Sequence, residues 1–180
     1  MNSSYPKAKI YSNSTLITSA CRNCEDWTEK EIVYSVGFLN RNKLKLLFFV
    51  YGDCYAASRE VYERVRDGVR EGIQNLNLEL SDTNELGRVN RVDPLGITNL
   101  RIRGMWTIKN PLSVFSEVLT VPNTDFTVLA LMRKTKFESF PSSDRQSLNK
   151  VKSCNIQEVD IQEPDNPAKL IKATLIKLTR

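Results

Sequence analysis

The sequence predicts an α+β fold: a mostly antiparallel sheet of about five strands with helices packed on one face, preceded by a flexible basic N-terminal arm. Three observations predict it. Several segments alternate apolar and polar residues with the two-residue period of a strand. One segment after residue 54 repeats its apolar residues every fourth position, as an amphipathic helix does. Residues 1–24 hold Lys7, Lys9 and Arg22 among Ser, Asn and Thr and contain no acidic residue. The expected layout is therefore an arm over 1–24 and a single core domain over 25–180.

In chain order, residues 31–39 read as a strand rich in Val, Ile, Tyr and Phe. Asn40-Arg41-Asn42 reads as a turn, and residues 43–51 as a second, more apolar strand, so the two should form a hairpin. Gly52-Asp53 ends that strand, with Asp53 placed to cap a helix over residues 54–74. Val61, Val65, Val69 and Ile73 form that helix's apolar stripe, against a face of alternating Arg and Glu. Residues 76–80 alternate as a short strand. Residues 81–96, with Arg88, Arg91 and Asp93-Pro94, read as a long surface loop. Residues 97–108 and 125–136 read as strands, and 111–120 as a short helix opened by Pro111. Residues 140–151 suggest a helix capped by Ser142 or Ser143, and 157–167, acidic and proline-bearing, a loop. The tail over 168–180 fits a basic edge strand or a basic surface helix.

Composition narrows the chemistry. The chain has 180 residues, four cysteines and no histidine, with a formal charge of +5. Histidine is the usual base and a common metal ligand near neutral pH, so Ser-His-Asp and Cys-His catalysis are excluded. Cys21-Arg22-Asn23-Cys24 has the spacing of a zinc half-site, but only Cys54 and Cys154 remain to complete it, and neither lies in a second such pair. Cys54 sits at an expected helix start, where the dipole lowers a thiol pKa; a buried filler role is the reading favoured for it. Neither GxxxxGK[ST] nor GxGxxG occurs. No apolar run approaches membrane-spanning length, and the N-terminus has no signal-peptide pattern, so a soluble chain is expected. These features together suggest a protein that is not an enzyme and uses neither metal nor cofactor.

The remaining functional signal is charge. Candidate contacts to an anionic surface or nucleic acid are Lys7, Lys9 and Arg22 in the arm, then Arg41, Lys43 and Lys45 at the hairpin. Arg101 and Arg103 belong with the run Arg133, Lys134 and Lys136, which continues an apolar strand with no compensating acid inside the run. Lys169, Lys172 and Lys177 complete the set. Basic patches of this kind suit phosphate polymers or anionic bilayers.

Size, basic charge, a polar arm and the strand region leading into the helix over residues 31–74 together resemble the rhabdovirus matrix proteins, notably those of plant cytorhabdoviruses. The resemblance implies a structural assembly protein that self-associates through its arm and bridges anionic membrane and ribonucleoprotein. Its expected place is the host cytoplasm and the inner face of the virion envelope. The PPxY and PTAP signals found in animal-virus members are absent. A small basic RNA-binding protein of the viral RNA-binding or silencing-suppressor type is the alternative.

Overall fold

The computed structural model describes residues 5–14, 26–81, 85–119 and 124–180. It divides into two compact units. The sheet unit comprises Lys7–Ala56 and Lys109–Arg180, and the inserted unit Ala57–Ile108 with Met1–Pro6.

The sheet unit opens with β1 (Lys9–Tyr11) and β2 (Glu29–Glu31), a small antiparallel pair. Part of the stretch expected to be a mobile arm is thus paired backbone. Gly52 explains how residues 7 and 8 are held. A Cβ at this position would lie 2.7 Å from the Cα and carbonyl oxygen of Ala8, an approach only glycine permits. The Lys7 N–H also donates to the Tyr34 hydroxyl at 2.8 Å. Residues 15–25, including Arg22, Cys21 and Cys24, lie outside the described residues.

The hairpin is present as β3 (Val33–Asn40) and β4 (Lys43–Tyr51). Its two-residue loop places Arg41 at φ 45° and Asn42 at φ 64°, the left-handed pair a type I′ turn requires. The register shifts beside Phe38 and Leu39, so Lys45 is an extra residue on β4, a β-bulge. The main sheet runs β3-β4-β7-β9-β8, with β7 at Thr127–Arg133, β8 at Cys154–Glu163 and β9 at Asn166–Thr179. It is mixed, because β4 and β7 are parallel while every other neighbouring pair is antiparallel. A parallel pair needs a long crossover, and here the chain passes through the whole inserted unit between β4 and β7.

Leu46, Phe48 and Val50 alternate along β4 and are buried against Leu129 and Leu131 of β7, Ala173 and Leu175 of β9, and Ile161 of β8. Phe115, which follows the short helix α2 (Pro111–Val114), closes over them with its ring edge-on to Phe48 at 6.3 Å. Each fully buried Leu or Phe of this kind contributes ~1.5–3 kcal/mol. After β7 the chain turns into α3 (Lys134–Ser139) and α4 (Ser142–Asn149) rather than continuing as strand to Lys136.

The expected acidic loop over 157–167 is instead the end of β8, the turn and the start of β9 in a long hairpin. Asp160 lies directly opposite Lys172, and such opposite-charge pairs support a ladder. Pro164 falls between the strands and Pro167 at the start of β9, where proline is tolerated. The tail is therefore strand.

In the inserted unit the helix begins later than expected, as α1 (Arg59–Gln74) with Ser58 at its N-cap. Gly52–Cys54 forms a separate 3-10 turn, and Cys54 and Ala56 belong to the sheet unit. Within residues 81–96 lies β5 (Gly87–Val89), and only Leu100–Ile102 of the strand expected over 97–108 forms, as β6. The segment at 76–80 contributes one bridge, Leu80 to Val89. Tyr5, Tyr62 and Trp106, widely separated in sequence, form one ring cluster, with Tyr5 stacked on Tyr62 at 5.0 Å.

Candidate nucleic-acid interface

The run Arg133, Lys134 and Lys136 is compensated, contrary to its reading as an uncompensated patch. Arg133 approaches the Asp53 carboxylate at 3.2 Å and Glu163 at 3.7 Å, and donates to the Asp53 carbonyl. Lys134 pairs with Glu158 at 2.7 Å. Lys136 pairs with Glu31 and lies over the rings of Tyr51 and Phe140. The acids come from β2, β8 and the turn after β4, elements distant in sequence. The C-terminal lysines behave alike: Lys169 pairs with Glu163 at 3.0 Å, and Lys172 with Asp160 at 2.9 Å and Glu158 at 3.5 Å. Lys177 and Lys7 also have interaction partners, and Lys9 is bonded to Glu29 at 2.5 Å.

Asp53 sits at the carboxyl end of β4. Burial pushes its carboxyl up, opposed by the charge of Arg133, and its Oδ1 is buried with no hydrogen-bond partner among the described residues. The neighbouring Cys54 is buried and its thiol is pushed up, first by burial and then by Asp53. No helix dipole acts on it, because it lies in the 3-10 turn before Arg59.

Among the described residues, two groups of cations cluster on paired strands at the surface. At the β3–β4 tip, Arg41 and Lys43 make no ion pair among the described residues, and the bulged Lys45 only a 3.5 Å contact to the exposed Asp125. Phe38 and Leu39 beside them are 53% and 64% exposed, so the tip combines cations with apolar surface.

The second group is in the inserted unit. Arg88 of β5 lies directly opposite Arg101 of β6, and both are exposed. Arg101 and Arg103 converge on the Glu85 carboxylate, at 2.5 Å and 3.0 Å. The hydrogen bond from Arg101 leads in pulling the Glu85 pKa down to about 2. Arg88 and Arg91 have no carboxylate partner among the described residues. These two lie in the stretch whose composition suggests a surface loop. The alternation Gly87-Arg88-Val89 was the signal for a strand that presents arginine on one face.

Among the described residues, no group of three or more His, Cys, Asp or Glu side chains is placed to hold a metal ion. No helix there is long and apolar enough to cross a membrane.

A mixed α/β chain with exposed arginine and lysine groups has the makings of a polyanion-binding protein, and comparison with known proteins makes the class specific. The chain belongs to the NgoPII restriction endonuclease family, whose family model matches residues 1–163. It is 40% identical over 179 residues to the type II restriction enzyme NgoPII of Neisseria gonorrhoeae, which covers 98% of this chain. The chain spans 64% of the length of that relative. No solved structure matches.

Family membership overturns the matrix-protein reading, and with it the membrane and ribonucleoprotein partners, the virion location and the RNA-binding alternative. Those readings rested on charge, which is equally compatible with DNA. The non-enzyme reading falls too, since the family is one of endonucleases. It leaned on the missing histidine, but one route of phosphodiester hydrolysis uses carboxylate-held metal ions and no imidazole base.

Proposed function

We propose that this chain binds duplex DNA and serves in its cleavage, as the name of its relative describes for that enzyme. The observation that carries the reading is 40% identity over 179 residues to a type II restriction enzyme. The charge map supports it. The formal charge of +5 lies in the sheet unit, because the eight arginines of the inserted unit are balanced by eight acids. A surplus of lysine suits contact with phosphates, which fixes position on a duplex without reading sequence.

Arg41, Lys43 and Lys45 are the strongest phosphate contacts of the sheet unit, since the hairpin holds them at an exposed tip. Lys9, Lys169 and Lys172, each paired with an acid, contribute little further field. Arg133, Lys134 and Lys136 act instead as structural cations within the sheet unit. Nuclease hydrolysis draws on divalent metal ions held by carboxylates. The described residues do not assemble such a donor set, so no hydrolytic step is assigned to them.

The test is fluorescence anisotropy of a labelled duplex titrated with the chain over a range of salt. Binding that weakens linearly in log affinity against log salt is the expected result. Absence of duplex binding at low salt, or binding indifferent to salt, overturns the proposal.

A further inference from the structure

The chain's two cation types are segregated. All thirteen lysines fall in the sheet unit, whereas eight of the thirteen arginines, and no lysine, fall in the inserted unit. Lysine offers a point charge to phosphate. Arginine offers a planar fork that matches the O6 and N7 acceptors of guanine in the major groove.

Four of the eight arginines of the inserted unit lie on α1 among its acids, whereas Arg88 and Arg101 lie on the β5–β6 ribbon, with Arg91 and Arg103 just beyond its strands. One face of the ribbon is pressed onto the body of the unit: Gly87 and Val89 are buried, and a Cβ at Gly87 would lie 2.6 Å from Ile73 of α1. The face that bears Arg88 and Arg101 consequently points outward. Like charges directly opposite on a ladder destabilise it, and Arg88 opposite Arg101 is such a pair. Glu85 engages the Nε and Nη2 edge of Arg101 and offsets part of this repulsion, but Arg88 has no carboxylate partner among the described residues, so the pair still favours an anionic or hydrogen-bond-accepting occupant.

The connection beyond the strands is built as a fixed shape. The Asp93 carboxylate accepts the N–H groups of Leu95 at 3.0 Å, Ile97 at 3.4 Å and Thr98 at 2.6 Å. Gly96 at φ 71° lies under the stem of Arg91, which itself takes φ 57°. The loop end displays Leu95 and Ile97 at 82% and 78% exposure, suited to apolar contact with thymine methyl groups. A preorganised ribbon with this end loses little freedom on docking.

From these features we infer that the β5–β6 ribbon enters the major groove of duplex DNA and reads bases, with Arg88 and Arg101 as its guanine-contacting forks. This rests on the DNA-binding reading above and adds sequence discrimination to it. A two-stranded ribbon has the width the major groove admits.

The experiment offers the full chain a pool of short duplexes randomised over their central positions and sequences the bound fraction. Arg88→Lys and Arg101→Lys, which keep charge and lose the fork, are run in parallel with thermal unfolding of each variant. The parent should enrich a defined sequence. Each variant should cut that enrichment about tenfold while binding a fixed unselected duplex within about twofold of the parent, with the same salt slope. Undiminished enrichment in both variants overturns the inference, as does equal competition by duplex RNA. Binding by the parent with no enrichment overturns the ribbon's role and leaves DNA binding intact. Failure to bind any duplex removes the DNA reading itself.

Discussion

Arg41 occupies a backbone conformation, φ 45°, that glycine or asparagine adopts at lower cost. A type I′ loop reading Arg-Asn rather than Asn-Gly gives up stability to keep a guanidinium at the hairpin tip. Arg41→Asn should therefore stabilise the protein by ~0.5–1 kcal/mol in urea unfolding. The same variant should weaken binding to a labelled duplex, and a variant that loses stability without changing affinity would refute both halves. Glu85 gives a second single-residue expectation. Its carboxyl is held at about 2, below the ordinary 4.5, by Arg101 first and then Arg103. A depressed carboxylate contributes stability above its unfolded pKa and loses it as pH falls through the folded one. The difference in melting temperature between parent and Glu85→Gln should thus be constant above pH 4.5 and vanish towards pH 2.

At the scale of elements, the charged end of the sheet is held together by partners that no local pattern reveals. Arg133 and Asp53 are separated by 80 residues, yet the parallel pairing of β4 and β7 brings their strand ends side by side. Arg133→Met would leave the Asp53 carboxyl, already disfavoured by burial, without its cation. Unfolding free energy should fall by about 2 kcal/mol, and duplex affinity should be unchanged. A loss of affinity without a loss of stability would return Arg133 to the binding residues. What the sequence made legible follows from the same distinction. The apolar strand-length run along 43–51 and the Asn40-Arg41-Asn42 turn specify a hairpin locally, and it forms. The parallel register of β4 on β7 depends on a crossover through another unit, which periodicity does not encode. The acids Glu158 and Asp160 look like loop residues until Lys134 and Lys172 are set beside them. Of the site, the basic residues were visible one by one. Which of them were already neutralised was a tertiary fact, and so was the pairing of Arg88 with Arg101.

For the whole molecule, the division of charge implies a division of labour that ionic strength can separate. Affinity for an unselected duplex should come from the sheet unit, where the net charge lies, and should carry nearly all of the salt dependence. Each cation that meets a phosphate adds about 0.9 to the slope of log affinity against log salt. Replacing both Arg41 and Lys43 with Gln should therefore reduce that slope by about two. The double variant Lys134→Gln/Glu158→Gln removes a cation and an anion that neutralise each other at 2.7 Å, and should leave the slope where it was. Parallel salt titrations of these two variants against the parent check the assignment directly. Equal slopes in all three would mean that the hairpin tip does not touch the phosphate backbone. A slope lost in the Lys134/Glu158 variant would mean that DNA breaks this ion pair on binding and takes the lysine for itself.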